Sequence, residues 1–240
     1  MLTLAIECAT KTIGLALLDE EDIQVELYLR SGRHHTEVLL SALEQLFILT
    51  GKTPEEVDLL ACTVGPGSFT GLRIGVSTVK GLALAMSIPV VGVSTLEALA
   101  MNVAISPGLI CPLLDAGKNQ VYAGLFRIGQ DGLPQAVTSE KLIDITLFLK
   151  DLDQEKIVFL GDGAVRHEKL ISRTHLGIVC SRGQQRLLGS AVGLIGLNRY
   201  RNGSVLDTPT FTPRYLRLSE AEINTGFGAT PDRVERVGAD

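Results

Sequence analysis

What is scarce in this chain narrows its chemistry first. Four histidines, His34, His35, His167 and His175, show no HxxxH or HExxH spacing, so the sequence offers no ready ligand set for a metal ion. The four cysteines, Cys8, Cys62, Cys111 and Cys180, form no CxxC pair and lie in or beside apolar runs. They read as free, buried thiols of a reducing, cytoplasmic protein. No serine sits in a GxSxG elbow, and Ser68, in a glycine-rich loop, has no histidine and acid assigned to it. Lysine and arginine form no cluster, and the net charge is −5. A protein that grips nucleic acid by itself shows a basic face, so any role on RNA runs through a partner. No apolar stretch approaches the roughly 20 residues of a membrane span. The apolar start has no basic segment and is interrupted by Glu7, which makes it a strand rather than a signal peptide.

What remains is a well-patterned globular chain, 45% hydrophobic and 20% charged. Residues 2–7, 13–18 and 23–29 read as three strands joined by tight turns, the third with clean period-two alternation. The period then switches to helical over 35–50, ended by Gly51. A strand at 57–64, a helix at 70–87 stopped before Pro89, a strand at 90–93 and a helix to about residue 105 follow. Ser94 and Glu97 are spaced as a capping box for that last helix. This β-β-β-α-β-α-β-α order is ribonuclease H-like. After a break at Ser106-Pro107-Gly108 it repeats: strands at 109–115, 120–128 and 135–143, a helix at 145–152, a strand at 156–161, a helix at 164–172, a strand at 178–181 and a helix at 184–201. The expectation is an α/β fold of two ribonuclease H-like lobes, 1–106 and 107–218, around a cleft, as in actin-like ATPases and sugar kinases. The second lobe is expected to be eroded, with the open question whether its last helix packs on the first lobe. The polar tail 219–240 is expected to be disordered.

The densest signal is Gly65-Pro66-Gly67-Ser68-Phe69-Thr70-Gly71-Leu72-Arg73-Ile74-Gly75, between a buried strand and an apolar helix. A strand, a glycine loop and a helix N-terminus suit an anion cradle. The spacing fails both standard motifs, however. Gly71 is followed by Leu72-Arg73 rather than Lys-Ser/Thr, and Gly65, Gly67 and Gly71 give G-x-G-x-x-x-G. The alternative is close packing, with Gly71, Gly75, Ser77, Gly81 and Ala85 leaving a smooth helix face.

Two further constellations stand out. Glu7 and Asp115 each end the first strand of a lobe, where carboxylates of a two-lobed cleft would hold a magnesium–phosphate group. Thr10, Lys11 and Thr12 follow one, Lys118 and Asn119 the other, and Gly161 and Gly163 form another candidate phosphate turn. Weak ATP or ADP binding with no required cofactor, and ordinary strand-end residues, both stay open. The second constellation is a surface. Val38, Leu39, Ala42, Leu43, Leu46, Phe47 and Ile48 cover more than one stripe of the first helix. A helix apolar beyond one stripe is deeply buried or meets a partner. Val38, Leu39, Ala42, Leu43 and Leu46, with Arg73, Val76, Lys80 and Leu84 of the second helix, are the candidate partner interface. A charge at Leu43 is then expected to abolish pairing while leaving the subunit folded.

These segments resemble a known family. GPGSFTGLRIG is similar to the signature of the bacterial TsaB (YeaZ) proteins, and LAIECAT at 4–10, DAGKNQVYAGLF at 115–126 and PRYLR at 213–217 resemble that family's other segments in the same order. Two departures are Glu7 and Gly117, where the family often has Asp and Arg. The resemblance implies a non-catalytic subunit of the machinery that makes N6-threonylcarbamoyladenosine at position 37 of tRNA. It further implies binding to a catalytic paralogue, TsaD, through the first-lobe helices, with an ATPase, TsaE, joining. The same helices would pair two copies when TsaD is absent, and tRNA would be reached only through the complex. The rival reading is an ATP-dependent small-molecule kinase or ATPase of the actin-like superfamily.

Overall fold

The computed structural model describes residues 1–30, 35–103, 108–152, 155–174 and 177–217. The tail 219–240, His34, His175 and the Ser106-Pro107 break lie outside the described residues. The elements are β1 (Leu2–Glu7), β2 (Thr12–Asp19), β3 (Asp22–Arg30), α1 (His35–Thr50), β4 (Leu59–Gly65), α2 (Phe69–Met86), β5 (Val90–Ser94), α3 (Thr95–Ala100), β6 (Leu109–Gly117), β7 (Gln120–Ala123), β8 (Phe126–Ile128), β9 (Pro134–Ala136), β10 (Lys141–Asp144), α4 (Ile145–Lys150), β11 (Ile157–Leu160), α5 (Asp162–Arg166), α6 (Glu168–Ile171), β12 (Gly177–Val179) and α7 (Gly189–Arg201).

Two sheets carry the fold, and they share one plan. The first runs β3-β2-β1-β4-β5 and the second β10-β7-β6-β11-β12, each an antiparallel meander continued by two parallel strands. The α/β fold with two ribonuclease H-like sheets is therefore as the sequence pattern predicts. Erosion of the second lobe takes a specific form. The strand expected over 120–128 is two strands, β7 and β8, and that expected over 135–143 is β9 and β10. Both breaks meet at one kink, where the Val137 and Thr138 amides donate to Leu125 O and the Leu125 amide donates to Thr138 Oγ1. Side-chain and off-register bonds there replace ladder bonds.

Two other boundaries shift for identifiable reasons. The helix expected over 184–201 begins at Gly189, because Asn102 Nδ2 captures the Gln184 and Arg186 carbonyls that a helix would use. The helix over 164–172 is broken at His167, whose φ of −104° and ψ of 17° leave the helical region. Ser94 caps α3 as predicted, accepting from the Leu96 and Glu97 amides, but the Glu97 carboxylate pairs with Arg199 instead of closing a capping box.

The first sheet is buried on both faces, and each face has its own partner. Leu4, Ile6, Leu15 and Leu17 meet Leu39, Ala42, Leu43 and Leu46 of α1 and Val76, Val79 and Ala83 of α2. Ala5, Ala16 and Ala61 meet α7 on the other face. The approach of α7 is close because Gly193 and Gly196 face those alanines, and a Cβ on Gly196 would press on Ala61 Cβ. The last helix thus lies on the first sheet.

This packing corrects the proposed interface. Leu39, Ala42, Leu43, Leu46 and Val76 are buried against the sheet and Val38 is half-buried, so they form the inner stripe of their helices and are not free to meet another chain. The large apolar side chains α1 presents outward are Leu40, Ile48 and Leu49, with Leu84 on α2. The predicted smooth face of α2 also divides. Gly71 and Gly75 pack on Cys8, while Ser77, Gly81 and Ala85 stay exposed.

Leu46→Ala should therefore cost about 2–5 kcal/mol in folding free energy, because it opens a cavity in the core. Leu40→Ala should stay within about 0.5 kcal/mol. Urea denaturation of the two variants checks the assignment of inner and outer stripes, and Leu43→Glu should unfold the chain rather than merely unpair it.

Candidate functional site: an interlobe cleft and an outer helix groove

The glycine loop is fixed by the turn after β1. The Ser68 amide donates to Ala9 O at 2.6 Å. Ser68 Oγ accepts from the Gly71 amide at 3.2 Å, making Ser68 the N-cap of α2. A Cβ on Gly67 would run into Ala9 O, and one on Gly71 into Cys8 O, so both positions need glycine for backbone-to-backbone contact. Gly65 has a φ of +124° and its peptide to Pro66 is cis. Phe69 stacks on Tyr215, and Thr70 lies in the first turn of α2. The loop thus spends the Ser68 and Gly71 amides and the Ser68 hydroxyl on the protein itself.

A cleft of about 240 Å³ opens between the two lobes, lined by Ala9, Thr10, Lys11, Gly67, Ser68, Asp115, Tyr122 and Asp162 among others. A second hollow of about 290 Å³ continues past Thr12, Tyr28, Arg30 and Gln185. The candidate phosphate and magnesium contacts converge around this cleft, but most are engaged. Glu7 is fully buried, and one of its oxygens accepts from the Ala9 amide. Its Oε2 has no hydrogen-bond partner among the described residues. Burial raises its pKa to about 8, and the Ala9 and Thr10 amides offset only part of that. Asp115 pairs with Arg166 and accepts from the Gly117 amide at 3.0 Å. The Gly161 amide donates to Gln185 Oε1, and Gly163 lies against the Leu113 and Leu114 backbone. Thr10 Oγ1 and Thr12 Oγ1 share a hydrogen bond of 2.7 Å. A hydrated magnesium ion needs exposed, charged oxygens. A buried Glu7, neutral below its raised pKa, and an arginine-paired Asp115 do not fit one. Among the described residues no group of three or more His, Cys, Asp and Glu side chains could hold a metal ion.

The sequence pattern places Asp162 inside the candidate phosphate turn at 161–164 but gives no hint of Gln185 in this cleft. Asp162 Oδ1 accepts from the Asp115 amide, and burial raises its pKa. Gln185 meets its partner, the Gly161 amide, on another element, and no local spacing marks it.

The second site is on the outside. Leu4, Leu40, Leu43, Glu44, Phe47, Ile48, Leu82 and Met86 line a groove of about 610 Å³ along the α1–α2 seam. Its upper walls are exposed: Leu40 is 59%, Ile48 63% and nearby Leu84 62% accessible. Arg73 and Lys80, also placed in the interface by the sequence, turn instead to the C-terminal segment. Arg73 stands over the Phe69 ring and bonds Tyr215, and Lys80 bonds Pro209 O. Leu40 and Ile48, eight apart, form an outward row that a helical projection of 35–50 would have separated from the inner stripe.

Comparison with known proteins accords with this architecture. A family model described as TsaD, tRNA N6-adenosine threonylcarbamoyltransferase, matches residues 29–225. The tRNA threonylcarbamoyladenosine biosynthesis protein TsaB of Bacillus subtilis is 33% identical over 92% of this chain and 96% of its own length. The chain belongs to the TsaB (YeaZ) family of tRNA threonylcarbamoyladenosine biosynthesis proteins. A solved structure from Pseudomonas aeruginosa, described as an uncharacterized protein with similarity to peptidase YEAZ, superposes with a TM-score of 0.78 at 26% identity. It covers 90% of this chain and 99% of that one. The tRNA N6-adenosine threonylcarbamoyltransferase of Thermotoga neapolitana is 29% identical over 55% of this chain and 45% of its own length. The TsaB family and the transferase thus share part of one fold plan. No helix of the described residues is long and apolar enough to cross a membrane.

Two predictions test the cleft. In the folded protein Glu7 titrates above the ordinary carboxylate value of 4.5, near 8. The folded state then holds a proton that the unfolded state has released. Stability is therefore greatest below about pH 4.5 and falls by up to about 1.4 kcal/mol per pH unit as pH rises toward 8. Denaturation midpoints measured from pH 5 to 8 should fall more steeply for the native chain than for Glu7→Gln; equal slopes would contradict the buried acid. Gly71→Ala should cost about 1–3 kcal/mol by forcing the turn after β1 away from α2, again read by urea denaturation.

Proposed function

We propose that this chain is a non-catalytic scaffold subunit in the making of N6-threonylcarbamoyladenosine on tRNA, acting by binding a catalytic paralogue of the TsaD type. The observation that carries this is the outer groove of α1 and α2, where Leu40, Ile48 and Leu84 stand exposed above an apolar floor. Exposed apolar side chains gathered around one groove mark an interaction site. A paralogue built on the same fold plan carries helices of the same order, and two helix pairs meeting seam to seam would bury both apolar rows. In this reading a second copy of the chain takes the groove when the paralogue is absent. A TsaE-type ATPase joins the assembled pair, and the tRNA is met only by the complex, in keeping with a net charge of −5.

The cleft supports the non-catalytic half of the proposal. Glu7 is buried, Asp115 is paired with Arg166, and the Gly117 and Gly161 amides donate to protein acceptors. Weak ATP or ADP binding without turnover is the accompanying expectation. Ser68 is occupied as a helix cap, which argues against a serine nucleophile.

The test uses the outward row. Ile48→Glu and Leu84→Glu should leave thermal unfolding of the chain within a few degrees of the parent, because both side chains are already wet. Each should weaken the complex with a TsaD-type partner at least tenfold, about 1.4 kcal/mol. Unchanged affinity in both variants would place the interface elsewhere. Mg-ATP turnover by the chain alone, lost in Asp115→Ala, would promote the kinase or ATPase reading.

A further inference from the structure

After α7 the chain runs back across both lobes as an extended segment. The Leu206 amide donates to Val90 O at 2.8 Å, and Phe211 is seated in the core beneath α2. Lys80 Nζ donates to Pro209 O at 3.1 Å and stands over the Phe211 ring. The Arg214 amide then donates to Val64 O at 2.7 Å. Tyr215 lies 4.7 Å from the Phe69 ring, centroid to centroid, and Arg73 Nε donates to its hydroxyl. All of these anchor the segment to the first lobe, beside the glycine loop.

Two side chains of the same segment reach the other lobe. Arg214 Nη1 donates to Glu140 Oε2 at 3.2 Å, and Arg217 Nη1 donates to Ala116 O at 2.9 Å. Glu140 precedes β10 and its side chain is only 7% exposed. Its second oxygen accepts from Ser94 Oγ, the cap of α3 in the first lobe. One buried carboxylate of the second lobe is therefore gripped from two directions, by the first lobe and by the C-terminal segment. Ala116 belongs to the cleft wall, opposite Gly67 and Ser68.

We propose that residues 205–217 are a strap that sets the width of the interlobe cleft, with Glu140 and Ala116 as its two points of attachment on the second lobe. The strap passes beside both walls of the cleft, so the lobes separate only if the Arg214 and Arg217 bonds break. The strap also takes up Arg73 and Lys80 of α2, which links the cleft to that helix's outer side. A charged bond to a buried carboxylate outlasts an exposed ion pair, because water competes with it on one side only.

A pair of spin labels at Lys11→Cys and Lys118→Cys, one on each turn that borders the cleft, reads the opening in the full chain. A Cys180→Ser background removes the half-exposed native thiol. Arg214→Ala with Arg217→Ala should broaden the distance distribution and add a longer population, while circular dichroism keeps its native signal. A distribution as narrow as the parent's would overturn the strap. If the double variant fails to fold, Arg217→Ala alone carries the test: added longer distances support the strap and an unchanged distribution rejects it.

Discussion

The contact on which the rest of the molecule depends is the meeting of two backbones, the turn after β1 and the start of α2. Ala9 O takes the Ser68 amide, and the Gly67 and Gly71 Cα atoms lie against Ala9 and Cys8 with no room for a side chain. This contact sets the angle at which α2 leaves the sheet. It thereby sets the α1–α2 seam and the groove along it. It also closes one end of the cleft. Two of the amides at the helix N-terminus, those of Ser68 and Gly71, are used to hold the helix in place. The same glycines that suggest a ligand loop thus serve a joint between the cleft and the outer surface.

The cleft turns its charged groups toward the protein. Glu7 is out of reach of solvent and titrates near 8. Asp115 is neutralised by Arg166, and the Gly161 turn is capped by the Gln185 side chain. The Arg166 pair and the Gln185 cap stabilise the cleft walls, whereas burying Glu7 costs stability as pH rises above the ordinary carboxylate range. The exposed apolar row on α1 and α2 runs the other way. It leaves Leu40, Ile48 and Leu84 without burial in the chain, and the proposed docking rests on that exposure.

Much of this was legible in the residues, and the limits have physical causes. The first lobe could be read element by element because its strands and helices are long and strongly periodic, from the alternation of β3 to the Ser94 cap of α3. The second lobe is read less well. Its meander strands are three or four residues each after the kink at Leu125, too short for a period to emerge. For α1, the helical period was plain in the residues, but the orientation of the helix was not. Leu39, Ala42, Leu43 and Leu46 form the inner stripe at i, i+3, i+4 and i+7, and reading them as outward inverted the face. The strap was beyond local reading altogether, since Arg73 and Tyr215 are 142 residues apart in the chain.

The central claim is that this chain acts as a protein-binding partner rather than as an enzyme. Sedimentation velocity of the purified chain, alone and mixed with a TsaD-type paralogue at micromolar concentration, tests it most directly. The account predicts a self-associated species that gives way to a mixed complex when the paralogue is added. A chain that stays apart from the paralogue at those concentrations would contradict it.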